Sequence, residues 1–173
     1  MTTQNKTTLL LAILSLIFLS ACQNKKFKDH DFTAYFGGEI QNPTSQYVIL
    51  FKDNLAIDSI LLDEKNRFFK KYDSLAPGMY TFKNEPEYQH IYFDKNDSLM
   101  LSLNARDFDQ TLVFGGRGDL KNNFLIDLYL KNNNDRTNLF KDYDKKHVAF
   151  RHILDSIYKD KKNFYNQRKE VIQ

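Results

Sequence analysis

One cysteine, no tryptophan, six glycines and three prolines in 173 residues set limits before any motif is read. A lone thiol, Cys22, cannot close a disulfide within the chain or supply the CxxC pair of a thiol–disulfide enzyme. Histidines are few and scattered. His147 and His152 lie five apart, which on a helix points them about 140° from each other, so they cannot share a metal as an i, i+4 pair does. His30 and His90 stand alone. No apolar run reaches the roughly 20 residues that cross a bilayer as a helix; the longest covers residues 9–21. The net charge of +3 is too small to argue for nucleic acid. That surplus is local: residues 141–173 hold nine Lys and Arg against five Asp and Glu, so the rest of the chain is slightly acidic. A basic helical tail of this kind is either a solvated face or a surface for anionic lipid or an acidic partner.

What is present begins with the leader. Lys6 and the amino terminus precede the apolar run, which has the length of a signal-peptide core. Leu19-Ser20-Ala21-Cys22 follows it and resembles the lipobox of bacterial lipoproteins. The resemblance covers residues 1–22. It implies cleavage before Cys22, a diacylglycerol on the Cys22 thiol and an acylated new amino terminus. Several chains of this kind suffice for stable anchoring where one does not. The alternative is an ordinary secretory signal. Gln23 and Asn24 stand where an inner-membrane retention signal would place an aspartate, so the resemblance implies the outer membrane, facing the periplasm. Residues 23–31 are polar and lysine-rich and read as a tether.

From Phe32 the chain becomes short strands between turn signals. Strands are predicted at residues 32–36, 46–52, 55–62, 67–72, 79–83, 88–93, 98–103 and 111–114, with Gly37-Gly38 as a bulge or close backbone approach. Leu99, Leu101 and Leu103 share one face. About eight strands at this spacing, without helical crossovers, predict an antiparallel β-sandwich or partly open barrel over residues 32–117. The period then changes. Asp119 is placed to cap a helix with Leu120, Phe124 and Leu128 on its apolar stripe, residues 131–135 form a polar break, and Asp144 is placed to cap a second helix. Val148, Phe150, Ile153, Leu154, Ile157, Tyr158, Phe164 and Tyr165 provide the second stripe within a helical segment over residues 118–173.

Each candidate for chemistry has a plainer reading. Phe114-Gly115-Gly116-Arg117-Gly118-Asp119 opens a helix, where amides can hold an anion. It lacks the Lys-Ser/Thr pair of a phosphate loop and the spacing of a dinucleotide fingerprint, and reads as a turn. Its Arg117-Gly118-Asp119 tripeptide matches an integrin motif of only three residues. Asp94-Lys95-Asn96-Asp97 lacks the later ligands of a calcium loop and reads as a hairpin turn. Asp107 and Asp109 would pair their carboxylates on one strand face, yet sit among polar neighbours. The serines have no nucleophile-elbow context. The sequence therefore predicts no enzyme, no cofactor and no metal, and Cys22 is its one assigned site residue.

Several stretches together resemble a family. Phe36-Gly37-Gly38-Glu39-Ile40, Asn42-Pro43, residues 57–63, Asn66-Arg67-Phe68, Gly78-Met79-Tyr80, Asp97-Ser98-Leu99 and residues 114–118 leading into Asn122-Asn123-Phe124-Leu125 resemble the amino-terminal β domain, of unknown function, of TlpA-like thioredoxin-family disulfide reductases. The resemblance spans about residues 32–130. It implies an accessory domain that holds or presents a thioredoxin-like domain at the membrane, in the same chain or as a separate periplasmic protein. This chain ends about where that redox domain would begin, and no catalytic residue carries over. The competing expectation is a ligand-binding module that seats a sugar, peptide or lipid on an aromatic sheet face. Exposed Tyr35, Phe51, Tyr80, Tyr88 and Tyr92 would favour it, and their burial would remove its motive.

Overall fold

Alternation decides the strands. In β1 (Ala34–Gln41) Ala34, Phe36 and Ile40 are buried, and the same alternation buries Val48 and Leu50 of β2 (Tyr47–Lys52). It recurs in β5 (Gly78–Asn84), β6 (Glu87–Phe93) and β7 (Ser98–Asn104), while β3 (Leu55–Leu61), β4 (Arg67–Tyr72) and β8 (Val113–Arg117) each bury one residue, Ile60, Phe68 and Phe114. The computed structural model describes residues 32–141 and 147–172, with the side chain of Val171 left out. Cys22, His30, the leader, the tether and Asp144 lie outside the described residues.

The eight strands form two four-stranded sheets, β4-β1-β7-β8 and β3-β2-β5-β6. Every pairing is antiparallel except β1 with β7, and neither sheet closes into a barrel. The fold is a sandwich, as the strand spacing predicts. The chain changes sheet after β1, β3, β4 and β6. Asp94–Asp97 is therefore the corner between sheets and not the hairpin turn expected; strand pairing of this range has no local signature. The true hairpin turn at Asp53 and Asn54 has positive φ at both residues, which matches the right-handed twist of the flanking strands.

Aromatic rings fill the interior. Phe36 is fully buried, with edge-on ring contacts to Phe68 at 5.1 Å, Phe93 at 5.6 Å and Phe82 at 5.8 Å. Burial of one such ring stabilises the fold by about 1.5–3 kcal/mol. The glycine pair of β1 serves packing on both faces. A Cβ on Gly37 would lie 2.9 Å from the Phe69 ring and 3.0 Å from the Met100 methyl, which fold over it. A Cβ on Gly38, at φ 153°, would collide with the Leu101 carbonyl oxygen. The expected close approach is real.

Three expectations fail beyond β7. Ala105–Asp107 is a 3₁₀ turn and Phe108–Thr111 a short helix, α1, so Asp107 and Asp109 do not share a strand face. The last strand starts at Val113, after the buried Leu112. The polar break at residues 131–135 is also absent. Helix α2 runs unbroken over Asp119–Lys141, and α3 covers His147–Ile172. Residues 131–135 stay helical because α3 packs on them: Lys131 pairs with Asp160, and Asp135 with Lys161 at 3.6 Å. Tertiary ion pairs here override low local propensity.

Candidate functional site

The place where residues of the sequence pattern converge is the junction of α2 with both sheets. β6 and β8 are edge strands, one in each sheet, and unpaired edge amides and carbonyls invite wrong pairing. Two successive asparagines of α2 occupy them. Asn122 accepts from the Tyr92 amide at 2.8 Å and donates to the Tyr92 carbonyl at 2.9 Å and to the Gly118 carbonyl at 2.8 Å. Asn123 accepts from the Phe114 amide and donates to the Phe114 carbonyl, both at 2.8 Å. Each carboxamide stands in for a strand residue, because it carries the same donor and acceptor as a peptide group. One turn of helix thus fastens to β6 with one side chain and to β8 with the next. Asn122 is fully buried.

The chain reaches this junction through glycines. At Gly116, φ 89°, a Cβ would collide with the Ser98 carbonyl oxygen. At Gly118, φ 97°, a Cβ would lie 2.6 Å from the Asp97 carboxylate. The Gly-rich stretch is therefore the end of β8 and the turn into α2, shaped by contact with β7 and the Asp94–Asp97 corner. Asp97 is buried and accepts from the Asp94 amide at 2.7 Å, while its own carbonyl accepts from Tyr35 at 2.8 Å. Burial raises its pKa above the usual carboxylate value despite the Asp94 amide and the Lys121 charge. Asp94 moves the other way. Its hydrogen bond from Lys121, at 2.7 Å, and the Lys95 amide lower it. Lys121 and Asp94 form an ion pair at 2.7 Å beside the turn into α2.

Two clefts of about 330 Å³ each flank this junction, one on either side of Leu125 and Met79. Tyr92, Asp94, Lys121, Phe124 and Ile172 line the first. The second is lined by Glu87, Tyr88, His90, Asp109 and Tyr129. The His90 Nδ1 lies 2.9 Å from the Thr81 hydroxyl. A larger, open groove of about 640 Å³ runs past Glu39, Leu61, Arg67, Phe69 and Met100, with Arg67 held to Asp63 at 3.0 Å.

The five aromatic residues singled out by sequence divide. Tyr80 is a core residue whose hydroxyl donates to the Ala76 carbonyl at 2.6 Å. Tyr35, Phe51 and Tyr92 are half-buried, and Tyr88 is 53% exposed. Lysines lie over the rings of two of the half-buried set: Lys83 over Phe51 at 4.6 Å and Lys121 over Tyr92 at 5.4 Å. Tyr35 stacks on Phe69 at 5.9 Å across the outer face of the other sheet.

His147 and His152 are exposed on α3, and no group of three or more His, Cys, Asp or Glu able to hold a metal occurs among the described residues. No described helix is long and apolar enough to cross a membrane. Sequence reasoning quoted Asn122-Asn123 but missed their role. The available signal was a pair of short amides at the start of an apolar helix, beside an unassigned strand edge. It likewise missed Asn84, fully buried in β5, which donates to the Ser45 carbonyl at 2.7 Å and the Tyr47 carbonyl at 3.1 Å. Comparison with protein-family models, with curated proteins and with solved structures returned no match.

Proposed function

We propose that this chain is a membrane-anchored periplasmic lipoprotein, held by lipid on Cys22, whose β-sandwich is a non-enzymatic accessory domain that carries a helical arm toward a thioredoxin-like partner domain. The observation that supports this reading most is the double asparagine fastening. Of the residues on which the resemblance rests, Asp97, Gly116, Gly118, Asn122 and Asn123 meet at the junction of sandwich and arm. A helix of 23 residues is about 35 Å long. Its last buried residue is Ile126 and Leu130 packs at the edge of the core, so the remaining turns project, braced by α3 through Lys131 on Asp160 and Asp135 near Lys161 at 3.6 Å. A rigid spacer is what such a construction provides.

The test is site-specific photo-crosslinking in the native host. A crosslinker in place of Phe140, exposed near the end of α2, is expected to capture a protein or domain with a CxxC pair. One in place of Glu64, in the β3–β4 turn, is expected not to. Capture of no CxxC-containing partner, or equal capture from both positions, contradicts the reading.

A second reading, a sugar, peptide or lipid site on an aromatic face, draws on exposed Tyr88 and on the Tyr35–Phe69 stack. Lysines over Phe51 and Tyr92 leave that face less bare than stacking recognition needs. With no tryptophan present, tyrosine fluorescence reports such binding directly; no change on titration with oligosaccharides, peptides or detergent monomers rules it out.

A further inference from the structure

The arm's charges are sorted by face. Among the described residues, Lys131, Lys161 and Arg168 turn inward and meet Asp160, Asp135 and Asp127 across the helix pair, with Arg168 also 3.9 Å from the centre of the Phe164 ring. The flank of α3 beside that seam is different. Leu154, Tyr158 and Tyr165 are 41%, 66% and 47% exposed. At 100° per residue they fall within an arc of about 40°, a straight row about 17 Å long. Beside each stands an exposed cation one helical turn away: Arg151 before Leu154, Lys162 after Tyr158 and Lys169 after Tyr165. None of these three makes an ion pair among the described residues, and Asp155 is the one acidic residue on that flank.

We propose that this face of α3 docks on an anionic lipid bilayer, with Leu154, Tyr158 and Tyr165 at the headgroup boundary and Arg151, Lys162 and Lys169 on lipid phosphates. Charge complementarity selects the occupant. Asp127, Asp135 and Asp160 are spent on the seam, and on the flank Arg151, Lys162 and Lys169 outnumber Asp155, so the row is net positive and repels a second copy of itself. A single row of Leu154, Tyr158 and Tyr165 beside a row of three cations fits a plane of headgroups, where amphipathic rings and basic side chains concentrate. The inference goes beyond the lipid at Cys22 and does not need it: it lays the arm along the membrane instead of leaving it upright.

Vesicle sedimentation tests it with a chain of residues 23–173, which lacks the apolar leader and Cys22. That chain keeps the whole hydrophobic core, which lies within the compact unit Asp31–Gln173. The expected result is binding to vesicles of phosphatidylcholine with phosphatidylglycerol, and not to phosphatidylcholine alone. Binding falls between about 0.1 M and about 1 M salt, where the screening length drops from about 10 Å to about 3 Å. Each cation at an anionic surface strengthens binding about five-fold, so R151Q/K162Q/K169Q weakens it about 100-fold with the helical circular dichroism unchanged. A second variant, Y158S/Y165S, weakens binding but keeps its salt dependence. Equal binding to both vesicle types, or a triple variant that binds like the parent, overturns the proposal. So does binding to neither vesicle, which would leave the face to an acidic protein. Because the lipid at Cys22 is absent from this chain, failure here says nothing against that anchor.

Discussion

Replacement of Asn122 by alanine isolates the fastening of the arm to the sandwich. The side chain makes three hydrogen bonds at 2.8–2.9 Å, two of them to the Tyr92 peptide groups on an edge strand that α2 covers. Alanine leaves the Tyr92 amide and carbonyl without partners beneath a helix, at about 1–3 kcal/mol each. Better helix propensity offsets about 0.5–0.7 kcal/mol of that loss. The expected net cost is about 1.5–5 kcal/mol, read from the urea midpoint at constant slope. Hydrogen exchange at the Tyr92 amide should accelerate more than exchange at the centre of β5, because the fastening opens before the sandwich does. N122D separates donor from acceptor. It keeps the oxygen that receives the Tyr92 amide, loses both donors and turns a carboxylate toward the Tyr92 carbonyl. It should therefore destabilise at least as much as alanine at neutral pH, and less where the carboxyl is protonated. An alanine variant within about 0.5 kcal/mol of the parent, the range of ordinary surface changes, would refute the reasoning. Unchanged exchange at Tyr92 would do the same.

Other outcomes follow from the same packing. N123A removes two hydrogen bonds to Phe114 from a half-buried position and should cost about 1–2 kcal/mol, with faster exchange at the Phe114 amide. G38A forces a Cβ onto the Leu101 carbonyl at a backbone angle that favours glycine, and should lower the melting temperature by more than any other substitution named here. The Asp94–Asp97 corner predicts opposite pH effects. The lowered pKa of Asp94 stabilises the fold above the ordinary carboxylate pKa and ceases to as pH falls through its folded value, so D94N destabilises at pH 7 and not in acid. Exposure of the Lys121 pair keeps that effect below about 1 kcal/mol. The raised pKa of Asp97 means that ionisation costs stability as pH rises past the ordinary value, so D97N stabilises at pH 7 and not in acid. Paired denaturation curves at the two pH values read both signs.

Local rules carried the strands. Alternation in residues 98–103 and the turn at Asp53 and Asn54 are written in a few neighbouring residues, and the structure follows them. What depends on distant partners was not legible. Nothing near Asp94–Asp97 says that β6 and β7 belong to different sheets, and nothing near residues 131–135 says that Asp160 and Lys161 will hold that polar stretch helical. Asp107 and Asp109 were misplaced because residues 105–111 coil instead of extending, with Thr111 donating to the Asp107 carbonyl at 2.7 Å. The asparagine fastening was hidden for a related reason. A carboxamide that replaces a peptide group is recognisable only once the two strand edges it serves have been placed on either side of the helix.

The proposed lipid anchor at Cys22 is tested by the intact mass of the protein extracted from membranes of its own host. The expected mass is that of a chain beginning at Cys22 plus a diacylglycerol and one further acyl group. An additional domain of roughly 100–150 residues on that mass would place the partner in the same chain and agree with the arm as its mount. A mass with no acyl groups, or a mature chain that begins anywhere other than Cys22, would contradict the anchor and with it the proposed attachment of this domain to the membrane by lipid.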